Sequence, residues 1–129
     1  MRQFTENSLL LATHNKGKIE ELSKLFEGYH FEVKSPFDFN LKEPNETENT
    51  FLGNARIKAH FAAKNSGLPS LGDDSGIEVE CLNGAPGVFT ANWAQTNNGR
   101  DFNSAMKKLW TATQETKTNK PFKAQFCCT

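Results

Sequence analysis

A chain of 129 residues in which Lys+Arg and Asp+Glu number 15 each carries no net charge, which excludes the broad basic footprint that a long nucleic-acid backbone demands. With 36% hydrophobic and 23% charged residues, it is rich enough in apolar side chains to bury a core in one domain, and disorder is not expected. No apolar run approaches the roughly 20 residues of a membrane span, residues 1–7 lack a signal-peptide core, and Cys81, Cys127 and Cys128 show neither metal spacing nor a disulfide framework; a soluble, cytoplasmic protein is expected.

In chain order, Ser8-Leu9-Leu10-Leu11-Ala12 is a short apolar run and predicts a buried strand. Residues 13–18, Thr-His-Asn-Lys-Gly-Lys, are polar and carry a glycine, so they read as a loop. Ile19, Leu22 and Phe26 fall at i, i+3 and i+7, with Leu25 beside them, and predict a helix ended by Gly28. Residues 31–33 read as a second strand, and residues 35–49, with Pro36, Pro44 and several acids, as a loop. A second helix is predicted over residues 50–65, with Phe51, Ala55 and Ala62 on one face and Gly67 at its end. Residues 68–72 lead into Asp73-Asp74-Ser75-Gly76. Ile77, Val79 and Cys81 alternate with Glu78 and Glu80, a half-buried strand pattern that Asn83-Gly84 turns. A third helix covers residues 102–110, and Phe122, Ala124, Phe126 and Cys128 alternate to the last residue. Domains seldom stop in mid-strand, so a C-terminally truncated fold is expected; a terminal edge strand is the alternative. The fold class is α/β, a mixed twisted sheet flanked by helices, in a single domain 1–129.

Three constellations carry chemistry. Thr13, Asn15, Gly17 and Lys18 stand where a strand passes into a helix, and a helix N-terminus presents unpaired N–H groups and the positive end of its dipole. Lys16 and Lys18 add charge, and Gly17 permits close approach, which suits a phosphate chain; the glycine spacing is not that of a Walker A loop. The same residues also serve an ordinary capped helix. Asp73 and Asp74 precede a strand; adjacent carboxylates suit Mg²⁺, or one of them accepts a proton from an attacking water, although a solvated turn uses the same residues. Asn54 and Lys58 lie i, i+4 on one helix face, the lysine with a packed stem and a head in reach of a cleft. Glu43, Glu46 and Glu48 precede that helix as metal-ligand candidates or as a solvated acidic loop.

Together these segments resemble the inosine/xanthosine triphosphate pyrophosphatase family. Ala12-Thr13-His14-Asn15-Lys16-Gly17-Lys18 with Glu21 is similar to its opening signature. Glu46-Thr47, Phe51, Asn54, Ala55, Lys58 and Ala59 resemble its second block, and Asp73-Asp74-Ser75-Gly76, Val79, Leu82, Gly84, Pro86-Gly87 and Val88 its third. The resemblance implies that Thr13, His14, Asn15, Lys16, Gly17 and Lys18 hold a triphosphate, with Lys58 adding charge and Asn54 and Ser75 contacting substrate. It implies that Glu46 and Asp74 bind Mg²⁺ and that Asp74 prepares water with support from Asp73. It further implies hydrolysis of inosine, deoxyinosine and xanthosine triphosphates to monophosphate and pyrophosphate. Also implied are a homodimer, a two-lobed fold with a central cleft, and no partner among nucleic-acid polymers or membranes. Gly53 stands where the family has Glu, and Asn92 and Trp93 where it often has Arg and Tyr. The family's late base-recognition segments have no counterpart in the sequence, so this chain is expected to be the N-terminal two-thirds of the fold. An inactive remnant and a metal-independent binding module for phosphorylated ligands are the alternative readings.

Overall fold

The structure, a computed structural model, describes residues 3–129; Met1 and Arg2, at the head of the polar N-terminal stretch, lie outside it. The chain divides into two compact units, the first formed by residues 1–48 and 52–73 and the second by residues 49–51 and 74–129.

The first unit is built on the apolar run. Strand β1, Ser8–Leu11, lies between β2, Glu32–Lys34, and β3, Ser70–Leu71, both parallel to it. Leu9 aligns with Val33, and Leu11 with Leu71. A central parallel strand is covered on both faces, which is why it reads as a continuous apolar run rather than an alternation; Leu10 and Leu11 are fully buried. Leu10, Ala12 and Ala62 form the core, with Phe39, Leu41 and Leu68 packed on it.

Helix α1, Lys16–Leu25, follows β1, and α2, Phe51–Ser66, precedes β3. The polar segment after β1 is shorter than the sequence reading supposed. Asn15 caps α1 by accepting from the Lys18 amide at 3.2 Å, so Lys16, Gly17 and Lys18 form the first helical turn, not a loop. β2 sits one residue later than expected. The acidic segment after it contains a 3-10 turn at Pro36–Phe39, where the Asp38 carboxylate accepts from the Ser35 amide at 2.7 Å and from its hydroxyl at 3.0 Å. Those bonds, the amide's first, hold the Asp38 carboxyl below its ordinary value of 3.8, and the charge of Lys34 adds to them against a smaller opposing effect of burial.

In the second unit β4, Ser75–Val79, pairs antiparallel with the late strand Ala124–Cys128. Between them come α3, Thr90–Trp93, a short hairpin of β5, Gln95–Thr96, and β6, Gly99–Arg100, then α4, Phe102–Glu115; the late strand is β7. α4 runs one turn beyond the predicted end and is capped by Asp101, which accepts from the Ser104 amide at 3.1 Å. The alternation through Cys81 does not continue as a strand. Residues Glu80–Leu82 form a 3-10 turn closed by Asn83 at φ 53°. The Asn83-Gly84 turn does form and brings Pro86 back to a single antiparallel bridge with Glu78, the Val79 amide donating to the Ala85 carbonyl at 3.2 Å, but the ladder partner of β4 is the distant strand at residues 124–128. Parallel and antiparallel pairings thus occupy separate ladders of an α/β fold. Among the described residues no helix is long and apolar enough to cross a membrane.

Candidate active site

The first unit brings together four of the charged residues singled out in the sequence. Glycine makes this packing possible. A Cβ at Gly72 would stand 2.4 Å from the Ala55 carbonyl oxygen and 2.9 Å from the Ala59 amide nitrogen, so only glycine lets the chain leave β3 in contact with the backbone of α2. The next residue, Asp73, therefore lies against α2, and its carbonyl accepts from Lys58 Nζ at 3.0 Å. The Asp73 carboxylate receives Lys18, reaching across from the first turn of α1. Two lysines from two helices thus meet at one aspartate.

Lys58 has a second anion. Its Nζ stands 2.7 Å from Glu46 Oε1, and the two side chains retain 13% and 24% of their exposure. The Lys58 stem is packed and its charged head is paired. Glu46 is held in reach by Asn54, whose amide oxygen accepts from the Glu48 amide at 3.0 Å. Asn54 is 1% exposed. In this arrangement the side-chain oxygen anchors the acidic loop from a buried position.

The other residues of the opening motif divide between structure and surface. Thr13 is buried at the end of β1, and its hydroxyl accepts from the Asn15 amide at 3.2 Å. His14 Nε2 donates to the Leu41 carbonyl at 2.8 Å, and its ring meets Phe37 edge-on at 5.6 Å, so it ties residues 37–41 to the β1–α1 junction. Lys16 and Gly17 are exposed, the lysine 5.9 Å from the Phe37 centroid. Gly17, Lys18 and the N-terminal amides of α1 offer the donors a phosphate takes.

In the second unit Asp74 and Ser75 open β4. Asp74 is 6% exposed, and its amide and carbonyl are both paired with Thr129 at 2.9 Å. The strand is pinned by Thr90, whose hydroxyl accepts from the Ile77 amide at 3.0 Å and donates to the Gly87 carbonyl at 2.7 Å. Gly76 is required here, because a Cβ would stand 2.3 Å from the Gly87 carbonyl oxygen. Thr90 and Gly72 were not singled out in the sequence; their roles depend on close approaches between distant segments, for which a single sequence holds no local signal. An open groove of about 450 Å³ beside Phe51, Pro86 and Phe89 contains Glu78, whose carboxylate accepts from Gln125 Nε2 at 2.7 Å and from the Cys127 thiol at 3.4 Å. Partial burial pushes the Cys127 thiol up, and the bond to Glu78 and its charge push the same way, so it remains protonated and weakly nucleophilic at neutral pH.

The carboxylates of Glu46 in the first unit and of Asp74 in the second are each of the donor type that a hard divalent cation takes; Mg²⁺ is commonly held by one or two carboxylates with water and substrate phosphate completing its shell. Among the described residues no group of three His, Cys, Asp or Glu side chains forms a protein-only cage. Lys18 and Lys58 supply the cations that a polyphosphate needs.

The profile of the Ham1 family matches residues 9–129. A dITP/XTP pyrophosphatase of Ruegeria pomeroyi is 53% identical over 128 residues, covering 99% of this chain and 63% of the relative. One from Agrobacterium fabrum is 49% identical over 122 residues, covering 94% and 57%. The structure of a HAM1 protein from Coxiella burnetii superposes with a TM-score of 0.84 at 33% identity, over 95% of this chain and 61% of that one. The chain therefore spans less than two thirds of the length of each of these relatives.

Proposed function

The chain belongs to the Ham1 family, and on that premise we propose that it is a nucleoside triphosphate pyrophosphatase acting on non-standard purine nucleotides, which it hydrolyses to the monophosphate and pyrophosphate. The convergence of Lys18 and Lys58 on Asp73 carries this reading, because it sets two cations beside a helix N-terminus where a polyphosphate would lie. The names of the relatives supply the substrate class, dITP and XTP.

In this reading Lys18, Lys58 and the first turn of α1 bind the phosphate chain. Water attacks the α-phosphorus, the α–β bridging bond breaks, and the electron pair leaves with pyrophosphate. Asp74 takes the proton of the attacking water, a role suited to a carboxylate at the start of a strand whose backbone is fixed. Ser75 and Asn54 contact the substrate, and, as the family resemblance implies, Glu46 and Asp74 would hold Mg²⁺. When bound, the ion supplies Lewis-acid stabilisation of the phosphate oxygens. The lysines neutralise charge that develops on the leaving pyrophosphate. Asp73 keeps Lys18 in place and, through its carbonyl, Lys58. Asn54 positions the loop that carries Glu46. His14 and Asn15 shape the junction that presents Lys16, Gly17 and Lys18. A cytoplasmic homodimer is part of the same proposal, supported by the family resemblance.

Product analysis tests it. The purified chain is incubated with ITP, XTP and ATP, with and without Mg²⁺. Monophosphate and pyrophosphate from ITP or XTP, dependent on Mg²⁺ and lost in Asp74→Asn, is the expected outcome. Orthophosphate as the first product, or full turnover in Asp74→Asn, overturns the assignment.

A further inference from the structure

We propose that Glu46 and Asp73 are built-in counter-anions of the phosphate cradle, which hold Lys58 and Lys18 and thereby make the cradle select a cation-complexed polyphosphate over the metal-free anion. The inference rests on the phosphate-binding reading above and adds a specificity device to it.

The observation is a set of opposite charges paired within one unit. Lys58 is bonded to Glu46 at 2.7 Å and to the Asp73 carbonyl, and Lys18 to the Asp73 carboxylate. The pairs are not surface decoration. Lys58 keeps 13% of its side-chain exposure, whereas in the helix-surface pair Lys24–Glu20 both groups keep more than two thirds. Partial burial lowers the local dielectric, so these pairs attract more strongly than an exposed one and also repel a like charge more strongly.

A metal-free polyphosphate approaching this cradle competes with Glu46 and Asp73 for both lysines and is repelled by both carboxylates. The balance reverses when a divalent cation accompanies it. Glu46 then has a cation of its own to face, and Lys58 exchanges a carboxylate for a phosphate oxygen. Each ligand removes an obstacle to the other, which is a coupling free energy between two sites and is reciprocal. Discrimination arises from a repulsive element held in place by the fold, not from an added contact.

The test uses inorganic tripolyphosphate as the probe, titrated calorimetrically into the full 129-residue chain in EDTA at fixed low salt. Glu46→Gln and Asp73→Asn are each expected to bind the metal-free probe about tenfold more tightly than the unmodified chain, within the usual 5–150-fold range of such couplings. Glu48→Gln makes the same change in net charge at an exposed residue outside both lysine pairs and is expected to move affinity less than about twofold. A reciprocal measurement needs no phosphate: Mg²⁺ alone is expected to bind Lys58→Met more tightly than the unmodified chain, because Glu46 is released. Thermal unfolding of each variant confirms that it is folded. Unchanged or weaker probe binding in both carboxylate variants, an equal gain in Glu48→Gln, or unchanged Mg²⁺ binding in Lys58→Met overturns the inference. If the unmodified chain hydrolyses ITP while Glu46→Gln gains nothing, the counter-anion inference falls and the enzymatic reading stands. If no variant binds the probe at millimolar concentration, the phosphate cradle itself is refuted and the inference with it.

Discussion

Gly72 and Ala55 touch through their backbones: any β-carbon on the glycine would overlap the Ala55 carbonyl oxygen, at 2.4 Å. The contact seats the Asp73 end of β3 on the helix that carries Lys58. Gly72→Ala is therefore expected to destabilise the first unit by about 1–3 kcal/mol, as overpacking does. Gly28 is a useful contrast, because nothing lies within 4 Å of an added Cβ there and only its φ of 85° is strained. Gly28→Ala should cost about 1–2 kcal/mol and leave phosphate binding unchanged, whereas Gly72→Ala weakens it. Urea midpoints and probe titration of the two variants separate the effects.

Removing the amine of Lys58 tests its part in catalysis. Lys58→Met keeps an apolar stem of similar reach and leaves Glu46 without the cation it faces. ITP hydrolysis is expected to fall about 10²–10³-fold in kcat, the usual cost of losing one group that stabilises developing charge. Steady-state kinetics at saturating Mg²⁺ make the check; a fall confined to KM would assign Lys58 to ground-state binding alone.

Asn54 has a structural role that is open to measurement. Asn54→Ala leaves the Glu48 amide without the acceptor of a part-buried bond, and the expected loss is about 1 kcal/mol. The same variant should raise the Mg²⁺ concentration needed for half-maximal activity, because the loop bearing Glu46 loosens. Equal stability and unchanged metal dependence would show that the loop is held by other bonds.

Acid sensitivity follows from Asp38. Its folded carboxyl titrates below the ordinary value of 3.8 because Ser35 bonds the ionised form. The unfolded chain therefore binds the proton more readily, and stability rises with pH through that interval. The contribution is present at neutral pH and is lost as pH falls through the folded value. Asp38→Asn should be less stable than the unmodified chain at pH 7, and the gap should close on acidification below the ordinary value. A gap that persists unchanged at the lowest pH would mean that the Ser35 bonds do not depend on ionisation.

Two neighbouring thiols should react differently. Cys128 is exposed, while Cys127 is half-buried and its thiol is pushed up, first by desolvation and then by Glu78. Alkylation at pH 8 followed by mass spectrometry is expected to label Cys128 first. Glu78→Gln should quicken labelling of Cys127, since it removes the charge that opposes the thiolate.

The elements legible in the sequence were those whose pattern repeats within one segment. β1 was visible because a doubly covered strand is apolar throughout, and α2 because Phe51, Ala55 and Ala62 return on one face. The start of α1 was placed too late because its first turn is polar; Asn15, a good cap, was the available signal. β3 is two residues long and holds its place by pairing with β1, so it has no periodicity to read. At Cys81 the alternation was real, but the backbone turned away before using it. The candidate site divides the same way. Residue types and spacings drew attention to Lys18, Glu46, Lys58, Asp73 and Asp74. Their partners were hidden, because the meeting of Lys18, Lys58 and Asp73 depends on a glycine packed on a helix distant in sequence. Asn54 is buried, which its i, i+4 spacing from Lys58 alone does not reveal.

The pairing of β4 with β7 has a consequence for the order in which the protein takes shape. Residues such as Glu78 and Gln125 meet across 47 intervening bonds of sequence separation, and the backbone of Asp74 is tied to Thr129. Closing so long a loop is slow compared with forming a helix or a local turn. During synthesis, the Lys18–Asp73 and Lys58–Glu46 pairs can form as soon as residue 73 emerges, whereas the strand that begins beside Asp74 must wait for residues 124–128. The groups proposed to grip phosphate therefore mature early, and the group proposed to activate water matures later.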